Sequence, residues 1–316
     1  MKTVYMFPGQ GSQYVGMGKE FYDAMPECRA VYELAGDVTG LDVAELCFTE
    51  NDKLNITEYT QICMLTTEAA ILTALRENGF RPDLTAGLSL GEYGALIASG
   101  TMTMSDAFAV VRKRGIYMQE AYPEGGAMSA VLGLDADRIA EICAGVHKES
   151  GEVVSIANYN CPGQIVITGE EAAVTAAGEK CKEAGAKRVV PLKVSGPFHS
   201  PMLKGAGEKL GEELVNVEIH DIAVPYIANV TADYVKTTAE VKDLLRKQVS
   251  SSVRWQQSVQ RMLGDGVDTF VEIGPGRTLT GFMKKISREA GVEAGALCVS
   301  NIDKMEDFEK FMQGRR

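Results

Sequence analysis

The chain has 316 residues, 45% hydrophobic and 24% charged, a soluble globular balance with enough material for one large domain or a large one carrying a smaller insert. A formal charge of -11 argues against nucleic-acid binding, which relies on neutralising phosphates, and against simple electrostatic affinity for anionic membranes. No apolar run approaches the roughly 20 residues that span a bilayer, and Thr3-Val4-Tyr5-Met6-Phe7 before Pro8-Gly9 is too short for a signal-peptide core, so a cytoplasmic location is expected.

Residues 4–7 read as a buried strand that ends in a glycine-rich turn. Residues 58–78 have helical periodicity and stop at Gly79. A short apolar strand over 84–88 leads into a helix from Glu92, and 105–122 reads as another helix with Ser105 as its N-cap. This alternation predicts an α/β fold resting on a largely parallel sheet. The middle changes character: strand 128–134, helix 135–149, strands 153–157 and 164–168 around Pro162-Gly163, helix 170–184 and strand 188–194. The order β-α-β-β-α-β is the ferredoxin-like arrangement. Gly125-Gly126 and Ser195-Gly196-Pro197 read as hinges around it. The expected organisation is a large domain from 1–125 and 196–316, with a small inserted domain at 126–195.

Cys28, Cys47, Cys63, Cys143, Cys161, Cys181 and Cys298 are scattered, odd in number and never spaced as Cys-x-x-Cys. That pattern fits buried thiols rather than a disulfide framework or structural zinc. No metal and no cofactor are expected.

Gly87-Leu88-Ser89-Leu90-Gly91 sits between a strand and a helix, the pattern of a nucleophile elbow. Flanking glycines let the chain turn sharply, and the serine hydroxyl is then presented at a helix N-terminus, where backbone amides can stabilise an oxyanion. Two other readings fit the same letters: a capping box between Ser89 and Glu92, or glycines that serve a tight turn. A serine nucleophile needs a base, and three histidines are available. His147 ends a polar helix, and His220 precedes an expected strand over 222–226. His199 differs, because it lies in the proline-fixed loop Gly196-Pro197-Phe198-His199-Ser200-Pro201, and Pro201 can start a helix. A helix N-terminus there would disfavour the imidazolium and keep the base neutral. Sequence identifies no acid to complete a triad.

Further motifs occur in order along the chain: Phe7-Pro8-Gly9-Gln10-Gly11-Ser12-Gln13, the elbow extended through Glu92-Tyr93, Arg114-Gly115 with Met118-Gln119, Gln248, and Glu272-Ile273-Gly274-Pro275-Gly276. With Ser89 and His199, this set resembles the malonyl-CoA:acyl-carrier-protein transacylase family of bacterial type II fatty-acid synthesis over nearly the whole chain. The resemblance implies an α/β-hydrolase-like large domain with a ferredoxin-like insert. It also implies that Ser89 takes the malonyl group from malonyl-CoA and passes it to the thiol of an acyl carrier protein. By the same resemblance His199 is the base, oriented by the backbone carbonyl of Gln248, and the amides of Gln10 and Leu90 form the oxyanion hole. Arg114 would hold the malonyl carboxylate, a role suited to a planar guanidinium. From its neighbours alone, Arg112 and Lys113, it would read as part of a solvated basic face. Met118 shares its helix face. Phe198 would favour malonyl over bulkier acyl groups, with core packing as its plain alternative.

Leu88 departs from the family, in which many members have histidine before the nucleophile; a leucine should make that side of the pocket drier. A dinucleotide fingerprint fails because Tyr14 stands where a glycine is needed, and a phosphate loop fails because Gln13 and Glu20 replace its glycine and hydroxyl residue. A serine hydrolase and a polyketide or malonate-decarboxylase acyltransferase are the remaining alternatives. The expected state is a monomer. An acidic carrier meeting an acidic chain requires a local basic patch, with Lys182, Lys187, Arg188, Lys193, Lys284, Lys285 and Arg288 as candidates.

Overall fold

The computed structural model describes residues 1–314 apart from Pro123, Ser195 and Ala294; Ser195, read above as part of a hinge, thus lies outside the described residues. The strands run in chain order as β1 Thr3–Phe7, β2 Leu84–Gly87, β3 Gly126–Leu132, β4 Val154–Cys161, β5 Gln164–Glu170, β6 Arg188–Pro191, β7 Tyr226–Ala228, β8 Asp233–Tyr234, β9 Thr269–Ile273 and β10 Cys298–Ile302. Among the described residues they form two sheets. One has the order β10-β9-β1-β2-β7-β8 and is parallel except at β8. The other has the order β4-β5-β3-β6 and is antiparallel, the pairing of a ferredoxin-like unit.

Strands β1, β2 and β9 are buried at every position, as a parallel sheet covered on both faces requires. The helices that matter for the site are α1 Thr57–Glu77, α2 Gly91–Ser99, α3 Met104–Ala121, α4 Ala136–Ser150, α5 Glu171–Glu183, α6 Thr238–Gln248 and α7 Thr278–Glu289. Helix α1 is buried over most of its length and packs against α3. In the second sheet the two-residue period separates two faces. Ile165 and Ile167 of β5 pack with Val146 and Ala177 of α4 and α5, whereas Val166 joins the core of the six-stranded unit.

Several expectations shift, and β4, expected to close at 157, runs on to Cys161. Helix α3 is capped by Thr103, whose hydroxyl accepts from the Asp106 amide at 3.1 Å, so Ser105 lies inside the helix. The strand expected over 222–226 begins at Tyr226; before it, the chain is tied to the end of α2 by His220 N–H to Thr101 and Val224 N–H to Ser99. The strand expected over 188–194 closes at Pro191, after which Val194 N–H turns back onto the Leu192 carbonyl.

The register places the site. Phe7 lies opposite Gly87, so the loop after β1 and the elbow after β2 leave the sheet side by side. The segments after β7 and β9 emerge at the same edge, the carboxyl ends of a parallel sheet, where α/β folds form their ligand crevice.

Candidate active site

The turn after β2 is shaped by its glycines. A Cβ on Gly87 would lie 1.9 Å from the Gly91 carbonyl oxygen, and one on Gly91 would lie 2.0 Å from the Phe7 carbonyl oxygen. No other residue fits at either position. Between them Ser89 has φ 55°, a left-handed conformation that costs a non-glycine residue about 1–3 kcal/mol. His199 has φ 59° and bears the same kind of strain. Its loop is held by Ser200 Oγ donating to the Pro197 carbonyl at 2.7 Å and by Phe198 N–H to Gly196.

These two strained residues meet. Ser89 Oγ lies 2.7 Å from His199 Nε2. On the far side of the ring, Nδ1 is 2.9 Å from the Gln248 backbone carbonyl, which can only accept. Nδ1 therefore carries the proton, and Nε2 presents a lone pair to the serine hydroxyl. No carboxylate is needed to fix the tautomer. The ring is buried, and burial first, then the charge of Arg114, lowers its pKa to about 4. The lowered value keeps the ring neutral, as expected, with desolvation and the Arg114 charge as its causes.

Arg114 is 1% exposed, so it does not belong to the solvated basic face that its neighbours imply. Nη1 donates to Gln61 Oε1 at 2.7 Å; Nη2 donates to Gln248 Oε1 at 2.9 Å and to Ser89 Oγ at 3.1 Å. Nε has no partner, and among the described residues no carboxylate pairs with this guanidinium. The Tyr93 ring lies 5.7 Å beneath it. Burial lowers its pKa, yet an arginine remains cationic in such surroundings. A buried cation whose direct acceptors are all neutral, beside a serine hydroxyl, has the chemistry to take an anion.

Gln10 and Leu90 both line the cleft, and neither backbone amide donates to a protein acceptor among the described residues. The wall is otherwise apolar: Met118, Met128, Val166, Leu192, Val194 and Phe198, with Asn158 and Asn160 from β4. Phe198 is buried and precedes His199 in the chain. Leu88 packs on the core and roofs the Gly9 turn, where a Cβ would meet its side chain at 2.9 Å, so that side of the cleft is apolar as expected. His147 and His220 take no part. His147 Nδ1 bonds the Glu152 carbonyl, and His220 lies near Glu218.

Three residues escaped the sequence reading. Asn229, directly after β7, accepts from Ser89 N–H at 2.6 Å and donates to the Gly87 carbonyl at 2.6 Å, clamping both arms of the elbow. Glu92 does not close a capping box on Ser89; its carboxylate accepts from Asn229 N–H at 3.1 Å and Gln248 Nε2 at 2.7 Å. Gln61 supports Arg114. A polar side chain within a helix as buried as α1 was the available signal for Gln61.

The acyl transferase domain family matches residues 4–314. The chain belongs to that family. Over 289 residues it is 46% identical to the malonyl CoA-acyl carrier protein transacylase of Bacillus subtilis, covering 91% of each chain. The fold agrees equally closely. The crystal structure of the transacylase of that name from Clostridium perfringens superposes with a TM-score of 0.93 at 42% identity, over 100% of this chain and 98% of that one. A malonyl-transacylase solved in complex with its type II PKS acyl-carrier protein gives 0.94 at 37% identity, over 99% of this chain and all of that one. The α/β fold expected from sequence, with its parallel sheet, is the fold of these transacylases.

Proposed function

We propose that this enzyme moves a malonyl group from malonyl-CoA to the pantetheine thiol of an acyl carrier protein, through an ester on Ser89, in fatty-acid synthesis. The observation that carries the reading is the buried Arg114 guanidinium, without a carboxylate of its own, 3.1 Å from the hydroxyl of a histidine-bonded serine. Malonyl differs from acetyl by one carboxylate, which this guanidinium can take in two parallel hydrogen bonds.

The geometry supports the following steps. His199 Nε2 removes the Ser89 proton as Oγ attacks the thioester carbonyl, and the negative oxygen that forms is held by the Gln10 and Leu90 amides. The intermediate collapses, the C–S bond breaks, and the CoA sulfur leaves with the proton from His199. The carrier's thiol then gives its proton to His199 and attacks the Ser89 ester; the acyl C–Oγ bond breaks, Oγ takes the proton back from His199, and malonyl remains on the carrier sulfur. Met118 lines the acyl end, and Phe198 limits the space beside the α-carbon. No metal or cofactor is called for.

The same proposal takes residues 126–195 as the inserted domain of a monomer in the cytoplasm. No helix among the described residues is long and apolar enough to cross a membrane, and the cysteines are free thiols. The basic residues proposed for carrier docking, Lys182 to Lys193 and Lys284 to Arg288, are exposed, and the latter belong to α7, whose Phe282 lines the cleft. A polyketide pathway is the second reading, favoured by the relative solved with a type II PKS carrier; the chemistry at Ser89 would be unchanged. A hydrolase would differ in the acceptor, discharging the Ser89 ester to water as fast as to a pantetheine thiol.

Arg114→Ala tests the reading. The ratio of malonyl to acetyl transfer should fall about 100-fold or more, the scale of losing a buried charge pair. Equal losses on both substrates would remove carboxylate recognition and the malonyl assignment with it.

A further inference from the structure

Three chain-distant segments meet on one carboxylate. Glu92 Oε2 accepts from the Asn229 amide after β7 and from Gln248 Nε2 at the end of α6, at 3.1 and 2.7 Å. Asn229 fixes the elbow through Ser89 N–H and the Gly87 carbonyl. Gln248 does three things at once. Its Nε2 also donates to the Ser89 carbonyl at 2.9 Å, its Oε1 accepts from Arg114, and its backbone carbonyl holds His199. Nucleophile, base and guanidinium thus all rest on two residues, and both of those rest on Glu92.

We propose that Glu92 is a positioning residue of the acyl-transfer site, which as a carboxylate fixes Asn229 and Gln248 and, through them, Ser89, His199 and Arg114 in one reactive arrangement. The inference rests on the acyl-transfer reading above. Glu92 is 1% exposed and touches no cation directly; its Oε1 has no partner. Arg114 from α3, Tyr226 from β7, Tyr93 from its own helix and, across Gln248, His199 are the titratable groups around it. Burial pushes its carboxyl up to about 7, against the bonds from Gln248 and Asn229 and the charge of Arg114. The vacant Oε1 can take a proton without disturbing either bond on Oε2. The neutral acid would then keep the geometry but hold it with weaker, uncharged acceptance.

Glu92→Gln reproduces that neutral state, because one amide oxygen can accept both bonds. The experiment is single-turnover acylation by malonyl-CoA, followed by intact-protein mass spectrometry from pH 5 to 9 for wild type and variant. Wild type should slow about tenfold as pH falls through about 7, the difference between a charged and a neutral acceptor. The variant should be flat over that range, and should meet the wild-type rate at the acid end. Glu92→Ala, which leaves two buried donors without an acceptor, should lose further rate at all pH values. A variant that parallels wild type at every pH, or matches it throughout, overturns the positioning role. Wild-type protein that takes up no malonyl group overturns instead the acyl-transfer reading on which it stands.

Discussion

On the six-stranded side of the cleft, polar side chains are buried and bonded to one another; on the four-stranded side, the wall is apolar apart from Asn158 and Asn160. The first side holds Ser89, His199, Arg114, Gln248, Asn229 and Glu92, with both left-handed residues of the site among them. The second contributes Met128 and Val166, from strands whose other face packs on their own helices, and Leu192 and Val194 from the segment after β6. The difference separates two tasks. A buried polar network is costly unless every member is satisfied, so it belongs where atoms must be held within tenths of an ångström. An apolar wall excludes water and shapes the cleft, a task that tolerates looser geometry. Substitutions on the two sides should therefore change different kinetic constants.

The largest effect is expected from the network. His199→Ala should slow acylation about 100- to 10,000-fold, the usual cost of a lost general base, with little change in KM. A variant acylated at the wild-type rate would move the base elsewhere. A smaller effect distinguishes the cause of the base's neutrality. The His199 ring, followed by NMR, should titrate near 4, and a midpoint at its ordinary 6.5 would mean that it is neither as buried nor as close to Arg114 as described. The sign is set by the lowered value: the neutral ring persists as pH falls through 6.5 and is lost only near 4. The smallest effect belongs to the wall. Met128→Ala should raise KM several-fold while kcat stays within about threefold, since it removes contact made equally in ground and transition states. A selective fall in kcat there would erase the distinction between the two sides.

What was legible in the sequence follows the same division. The elbow could be read because Gly87 and Gly91 are forced by local clashes, and His199 because two prolines fix its loop. Arg114 was not legible from its neighbours, because Arg112 and Lys113 on the same helix point to solvent or to Glu58 while Arg114 turns inward. Asn229 and Glu92 had no local sign. Their roles arise when parallel register brings the ends of β2 and β7 together, a contact between residues 140 apart for Ser89 and Asn229. Glu92 was visible as a helix start, a motif letter and the partner in a capping box, none of which shows what its carboxylate accepts from. The middle β-α-β-β-α-β order was readable because each element carries its own periodicity, although β6 ends earlier than its apolar run.

Ser89 as an acyl relay is tested most directly by intact-protein mass spectrometry. Wild type mixed with malonyl-CoA should gain one malonyl group, Ser89→Ala should gain none, and a pantetheine-bearing acyl carrier protein should discharge the adduct far faster than buffer does. An adduct on Ser89→Ala, or one lost equally fast without the carrier, would contradict it.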